Sequence, residues 1–179
     1  QARRFYLRSG MLLCLIYACD GLDFHNENVF ACGEHPVPID LETIFHHRVR
    51  TSEEIQELID AAKEKIGNSV LRTHFLPSFF QIKDKYLDIS GIGGGAEEIA
   101  IEALRWKYIN TDAMEFSEEK IRGKTTNDMN VARIKDHPIR PEDYSAQLAD
   151  GFRQMYRFLA SQRDALLSEA GPLIKMLRN

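Results

Sequence analysis

The stretch that decides the reading of this chain is Asp23-Phe24-His25-Asn26-Glu27-Asn28, which is followed, after residues 29–38, by Ile39-Asp40-Leu41-Glu42-Thr43. Its carboxylates and amides are hard oxygen donors. Phosphoryl transfer needs a carboxylate beside the acceptor hydroxyl, and oxygen ligands that hold magnesium against nucleotide phosphates. Val29 to Ala31 and Val37 to Leu41 flank Gly33 and Pro36 and read as two short strands around a turn. Such a hairpin returns Asp40 to Asn28, so Asp23, Asn28 and Asp40 can share one site. The bland reading of the same residues is that Asp23 and Asn26 form turns, His25 is an exposed loop residue and Asp40 ends a strand.

Working outward, Phe5, Leu12, Leu13, Leu15 and Ile16 are too dense for a one-sided stripe. They predict a helix over Arg3 to Cys19 buried on most sides, stopped by Gly21. The polar cluster therefore sits on a loop between a helix and a hairpin. Downstream, Thr51 and Glu54 form a capping box for a helix ending at Gly67. Val70 to Phe80 reads as extended around Pro77, Ser90 to Gly95 as a flexible joint, and Ala96 to Trp106 as helix by propensity. Gly123 to Pro141 is loop-like, and Leu148, Phe152, Met155 and Leu159 mark an amphipathic helix to about Ser168. Gly171-Pro172 breaks it before a short last helix. The chain shows neither an internal repeat nor a low-complexity tract.

With 179 residues the chain is expected to form one domain with a real core. Its net charge of −4 comes from interleaved acids and bases, so no basic face points to nucleic acid. Cys14, Cys19 and Cys32 form no disulfide framework, which points to a reducing cytoplasm. The apolar run from Met11 to Cys19 is far shorter than the roughly 20 residues of a membrane span. The opening at Gln1, in mid-pattern and without Met, reads as a piece of a longer protein.

Asp23, His25 and Asn28 ahead of an Ile39-Asp40 strand resemble the lipid-kinase form of the catalytic loop, in which His replaces the Arg of protein kinases. The fuller string narrows the resemblance. Arg8-Ser9-Gly10 before a Leu-rich run, Tyr17, the 23–28 loop, Gly33-Glu34-His35-Pro36 and Asp40-Leu41-Glu42-Thr43 resemble the dehydratase domain of class II lanthipeptide synthetases. So do Ser69-Val70-Leu71-Arg72-Thr73, Asp88-Ile89-Ser90-Gly91, Asn110-Thr111-Asp112 and Gly151-Phe152 with Met155-Tyr156, in the family's order and over most of the chain.

The resemblance implies an α+β, mostly helical fold over residues 1–179, like the C-lobe half of a lipid kinase, with a short hairpin carrying the site. It implies an enzyme that uses ATP and magnesium to phosphorylate Ser and Thr of a precursor peptide, then eliminates phosphate to leave dehydroalanine or dehydrobutyrine. Asp23 would orient or deprotonate the acceptor hydroxyl, and His25 would support the loop and the transferring phosphate. Asn28 and Asp40 would hold magnesium, with Glu42 as a further ligand or as an acid behind the ligands. For elimination, an Arg six residues before a Thr is associated with this step in the family, and Arg105 and Thr111 have that spacing. Only 22 residues precede Asp23, so the nucleotide lobe that would hold ATP is expected to lie elsewhere, as is the zinc-holding cyclase domain, and the isolated chain is expected to be inactive. Gly93-Gly94-Gly95 lacks the rest of a phosphate loop. His46-His47 and His35 read as loop histidines. Two alternatives stay open: a lipid-kinase-like or small-molecule kinase that only phosphorylates, and a noncatalytic module that docks a peptide.

Overall fold

In the computed structural model the described residues are 1–45, 65–82, 85–93, 98–124 and 128–178. Helix α1, Ala2–Ala18, buries Phe5, Tyr6, Ser9, Gly10, Leu13 and Cys14. That is a three-and-four spacing, which places them on one face. Leu15 stays 38% exposed, so the helix is not covered on most sides. Its inward stripe is lined partly by small residues, and a second helix can come close there.

That helix is α2, Ser145–Ser161. The two cross at facing glycines: a Cβ added at Gly10 would stand 2.0 Å from the Leu148 carbonyl oxygen, and one at Gly151 1.8 Å from that of Leu7. No side chain fits into either gap, so the backbones pack directly. Beside the crossing, Tyr6 stacks on Tyr144 with ring centroids 4.8 Å apart and donates its hydroxyl to the Ile139 carbonyl at 3.0 Å. Burial pushes this phenol well above its usual pKa. The core continues through Leu13, Ile16, Phe24, Val29, Phe75 and Ile92.

α1 ends in a Schellman turn. Gly21 N–H donates to the Ile16 carbonyl at 2.9 Å and Asp20 N–H to that of Tyr17 at 3.3 Å. The left-handed residue is Asp20, at φ 54, and not the expected Gly21, whose missing Cβ instead leaves room for Phe24 and Ile16. The hairpin follows as β1, Val29–Cys32, and β2, His35–Pro38, paired Val29 with Pro38 and Cys32 with His35. The second strand thus ends before Asp40.

Between residues 70 and 106 three sequence expectations give way. Val70–Thr73 is a 3-10 turn, not extended chain, because Ser69 Oγ accepts from Leu71 N–H at 3.2 Å and caps it. The extended part is the ribbon β3, Phe79–Ile82, with β4, Lys85–Asp88. Of the expected joint, Ser90 to Gly93 is a buried turn, tied by Asp88 Oδ1, which accepts from Ser90 N–H at 2.9 Å and from its hydroxyl at 2.6 Å. Residues 96–106 are not helical from Glu98 on: β5, Glu98–Lys107, pairs along its length with β6, Glu115–Lys124. Cross-strand pairing overrides the helix propensity of its Glu, Ala, Leu and Lys.

Within 123–141 the described residues are more ordered than a loop. Gly123 lies within β6, Asp128–Asn130 makes a 3-10 turn, and β7, Arg133–Ile134, pairs with β8, His137–Pro138. α2 stops at Ser161, and the expected run to Ser168 divides into α2 and α3, Arg163–Leu166, because Gln162 leaves helical geometry at ψ 6. The last helix, α4, is Pro172–Arg178. The predicted capping box at Thr51, the pair His46-His47 and Gly94-Gly95 lie outside the described residues. Among the described residues no helix is long and apolar enough to cross a membrane, and Cys14, Cys19 and Cys32 are free thiols, the first two buried.

Candidate functional site

The loop after α1 is fixed from three directions. Phe24 is buried, and its N–H donates to the Thr73 carbonyl at 2.9 Å, the carbonyl at the end of the capped 3-10 turn. Asn26 N–H donates to Ile89 at 2.9 Å, and His25 forms an isolated antiparallel bridge with Ser90. Thr43 Oγ1 donates to the Leu22 carbonyl, and Phe45 N–H donates to Cys19 at 2.7 Å. Anchoring alternate backbone positions leaves the side chains between them turned outward.

Asp23 adopts a left-handed backbone, φ 64, and its side chain is 51% exposed, whereas that of His25 is 23% exposed. His25 Nδ1 accepts from Glu27 N–H at 3.2 Å, which leaves the ring proton on Nε2. That nitrogen faces Asp23 Oδ1 at 3.5 Å. Asn28 Nδ2 donates to the Asp23 carbonyl at 2.9 Å, so its amide nitrogen is committed and its oxygen is the atom left to bind elsewhere. Ile39 N–H donates to the Asn28 carbonyl at 2.9 Å. The hairpin therefore does bring Asp40 beside Asn28, and Asp40 too is left-handed, φ 54, and exposed. Glu42 is exposed on the turn that follows.

Asn28, Asp40 and Glu42 supply hard oxygens of the kind magnesium takes, and the free amide oxygen of Asn28 fits that role. The donors are open to solvent. Among the described residues no three His, Cys, Asp or Glu side chains converge as a ready-made metal cluster.

Arg105 and Thr111 lie elsewhere. Arg105 is an exposed residue of β5 paired with Ser117, and Thr111 lies in the turn after it, its Oγ1 donating to the Tyr108 carbonyl at 2.7 Å. Among the described residues no hydrogen bond or ion pair joins either to the loop. A separate groove of about 530 Å³, lined by Leu13, Val70, Leu76, Leu148 and Phe152, includes none of the loop residues.

Two supporting groups were not evident from sequence. Arg72 forms an ion pair with Asp20 and lies over the Tyr17 ring, 5.1 Å from its centroid. It ties the 3-10 turn to the end of α1. Glu34, at the hairpin tip, accepts from Arg8 and Arg4 of α1, which hold its carboxyl down to about 2.

A family model described as a domain of unknown function, DUF4135, matches residues 1–179. The chain is 29% identical to the lacticin 481/lactococcin biosynthesis protein LcnDR2 of Lactococcus lactis subsp. lactis, over 93% of this chain and 18% of that protein. The chain thus spans under a fifth of that relative's length. No solved structure matches it.

Proposed function

This chain belongs to the DUF4135 family, and from that premise we propose that it carries the phosphoryl-transfer loop of an ATP-dependent peptide dehydratase that modifies lanthipeptide precursors. The observation that carries the reading is the backbone bond from Ile39 to Asn28, which sets Asp40 beside an Asn28 already tied to Asp23. The likeness to a lacticin 481 biosynthesis protein, with the motif resemblance to class II lanthipeptide synthetases, supports the substrate class of this reading. On this reading residues 1–179 are a catalytic-lobe part with a lipid-kinase-like fold.

In the first half-reaction a peptide Ser or Thr oxygen bonds to the γ-phosphorus of ATP, ADP departs, and the hydroxyl proton passes to Asp23. Asp23 is exposed enough to meet that hydroxyl, and His25 Nε2, 3.5 Å from its Oδ1, would help to orient the carboxylate. Asn28 and Asp40, with Glu42, would hold magnesium, which when bound neutralises the phosphate oxygens. In the second half-reaction the substrate loses its α proton to a base and its Cβ–O bond breaks, releasing phosphate. The Arg105 guanidinium would steady the leaving phosphate through paired donors, with Thr111 beside it.

One observation favours a plain kinase instead: Arg105 and Thr111 lie on a ribbon that no described interaction ties to the loop. Mass analysis of the precursor peptide, incubated with the full-length protein, ATP and magnesium, separates the two. A dehydratase removes one water per modified residue, Asp23→Asn slows the transfer by about 10² to 10⁴, and Arg105→Ala or Thr111→Ala accumulates phosphopeptide. Stable phosphopeptide from the unmutated protein would establish the plain kinase, and an unchanged peptide mass would sink both.

A further inference from the structure

We propose that Asn130 is a positioning residue for the Asp23 loop, a role that rests on the phosphoryl-transfer reading above. Asn130 is fully buried, on a 3-10 turn remote in sequence from the loop. Its amide nitrogen donates two bonds, to the Ser90 carbonyl at 3.0 Å and to the Gly93 carbonyl at 2.9 Å. Those carbonyls bracket the buried turn against which the loop is built. His25 bridges to Ser90, Asn26 N–H bonds to Ile89, and Gly91 lies so close to Phe24 that a Cβ there would come within 2.3 Å of the Phe24 carbonyl oxygen.

The wiring runs one way. Asn130 touches the 90–93 turn, the turn touches Phe24, His25 and Asn26, and these set where the Asp23 and Asn28 side chains stand. The Asn130 amide oxygen is buried without a hydrogen-bond partner among the described residues. A buried polar atom left in that state is costly, so an apolar residue would serve better if filling space were the task. What only the amide supplies is the pair of donated bonds. Because both hold backbone rather than side chains, losing them frees the turn without emptying the core of Phe24, Val29, Phe75 and Ile92.

The test compares Asn130→Ala with Phe152→Ala, a truncation on α2 away from the loop, in the full-length protein. Two readouts are taken: hydrogen exchange of the Asn26 amide, and kcat against KM for phosphate transfer to the precursor peptide. Asn130→Ala is expected to deprotect Asn26 while leaving α1 amides protected, and to lower kcat by about 10²-fold at unchanged KM. Phe152→Ala is expected to lower the melting temperature and, where the protein stays folded, to leave kcat near its unmutated value, any loss of Asn26 protection coming with an equal loss at the α1 amides. Asn130→Ser, which retains one donor, replaces the Ala variant in the event that the latter does not fold, and its exchange and kcat should fall between those of Asn130→Ala and the unmutated protein. Unchanged Asn26 protection, or a kcat loss no greater than that of Phe152→Ala, overturns the proposal. If the unmutated protein transfers no phosphate, the functional reading fails on its own, and the exchange data alone decide whether Asn130 holds the loop.

Discussion

The loop at residues 22–28 and the β5–β6 ribbon both carry residues that sequence singles out, and they are held in opposite ways. Beyond short bonds made within it at Glu27 and Asn28, the loop is held from outside, its Phe24 and Asn26 amides bonded to Thr73 and Ile89, far away in the chain. The ribbon is bonded to itself along ten paired positions, and Trp106 and Phe116, packed against each other, remain 55% and 52% exposed. An isolated two-stranded ribbon is marginal in water, whereas a loop woven through a core opens only when the core does. Damage to the body should therefore reach Asp23 and spare Arg105, and damage to the ribbon should do the reverse.

The largest effect expected is from Gly10→Ala. Its methyl has no room against the Leu148 carbonyl, and we expect a loss of about 3 kcal/mol in denaturant unfolding, with the loop's transfer activity falling alongside. A loss below about 1 kcal/mol would show that the helices can part cheaply, and the contrast would weaken. Trp106→Ala comes next. It should remove about 1 kcal/mol from the ribbon, seen as faster exchange of β5 and β6 amides with the global midpoint unmoved. A matching fall in the global midpoint would mean that ribbon and body unfold together.

The smallest effect concerns Glu34, which ties the hairpin to α1. Its carboxyl is held down to about 2 by hydrogen bonds from Arg8 and Arg4, against an ordinary 4.5. A depressed carboxyl stabilises the fold above its unfolded value and loses that contribution as pH falls through the folded one. The midpoints of the unmutated protein and Glu34→Gln should thus differ near pH 7, converge between 4.5 and about 2, and differ less in 1 M salt, since the group is reached by solvent at the surface. A gap that persists at pH 2 would assign the Glu34 effect to packing.

What was legible in the sequence follows the same divide. The loop, its hairpin and the helix before it were readable because turn residues and a short polar run are local signals, and Gly33 does sit at φ 64 in the turn. β5 was not, since Glu102, Ala103, Leu104 and Lys107 favour helix locally and only the partner strand, Glu115–Lys124, decides otherwise. Asn130 was hidden for a related reason. It sits in a stretch rich in turn formers, and nothing nearby reveals that its amide serves Ser90 and Gly93. Of the candidate site, the placement of Asp40 next to Asn28 was foreseeable from the hairpin; the separation of Arg105 from the loop depends on where the ribbon packs.

The glycine crossing of α1 and α2 also makes α1 a ruler. From Gly10 the helix runs about 12 Å to its end at Ala18, then turns through Asp20 straight into the loop, so the distance and the phase of Asp23 are both counted from that crossing. One residue added or removed between Gly10 and Asp20 would shift the loop by about 1.5 Å and swing it by about 100°. Substitutions along the outer face of this segment can be absorbed, but its length cannot drift.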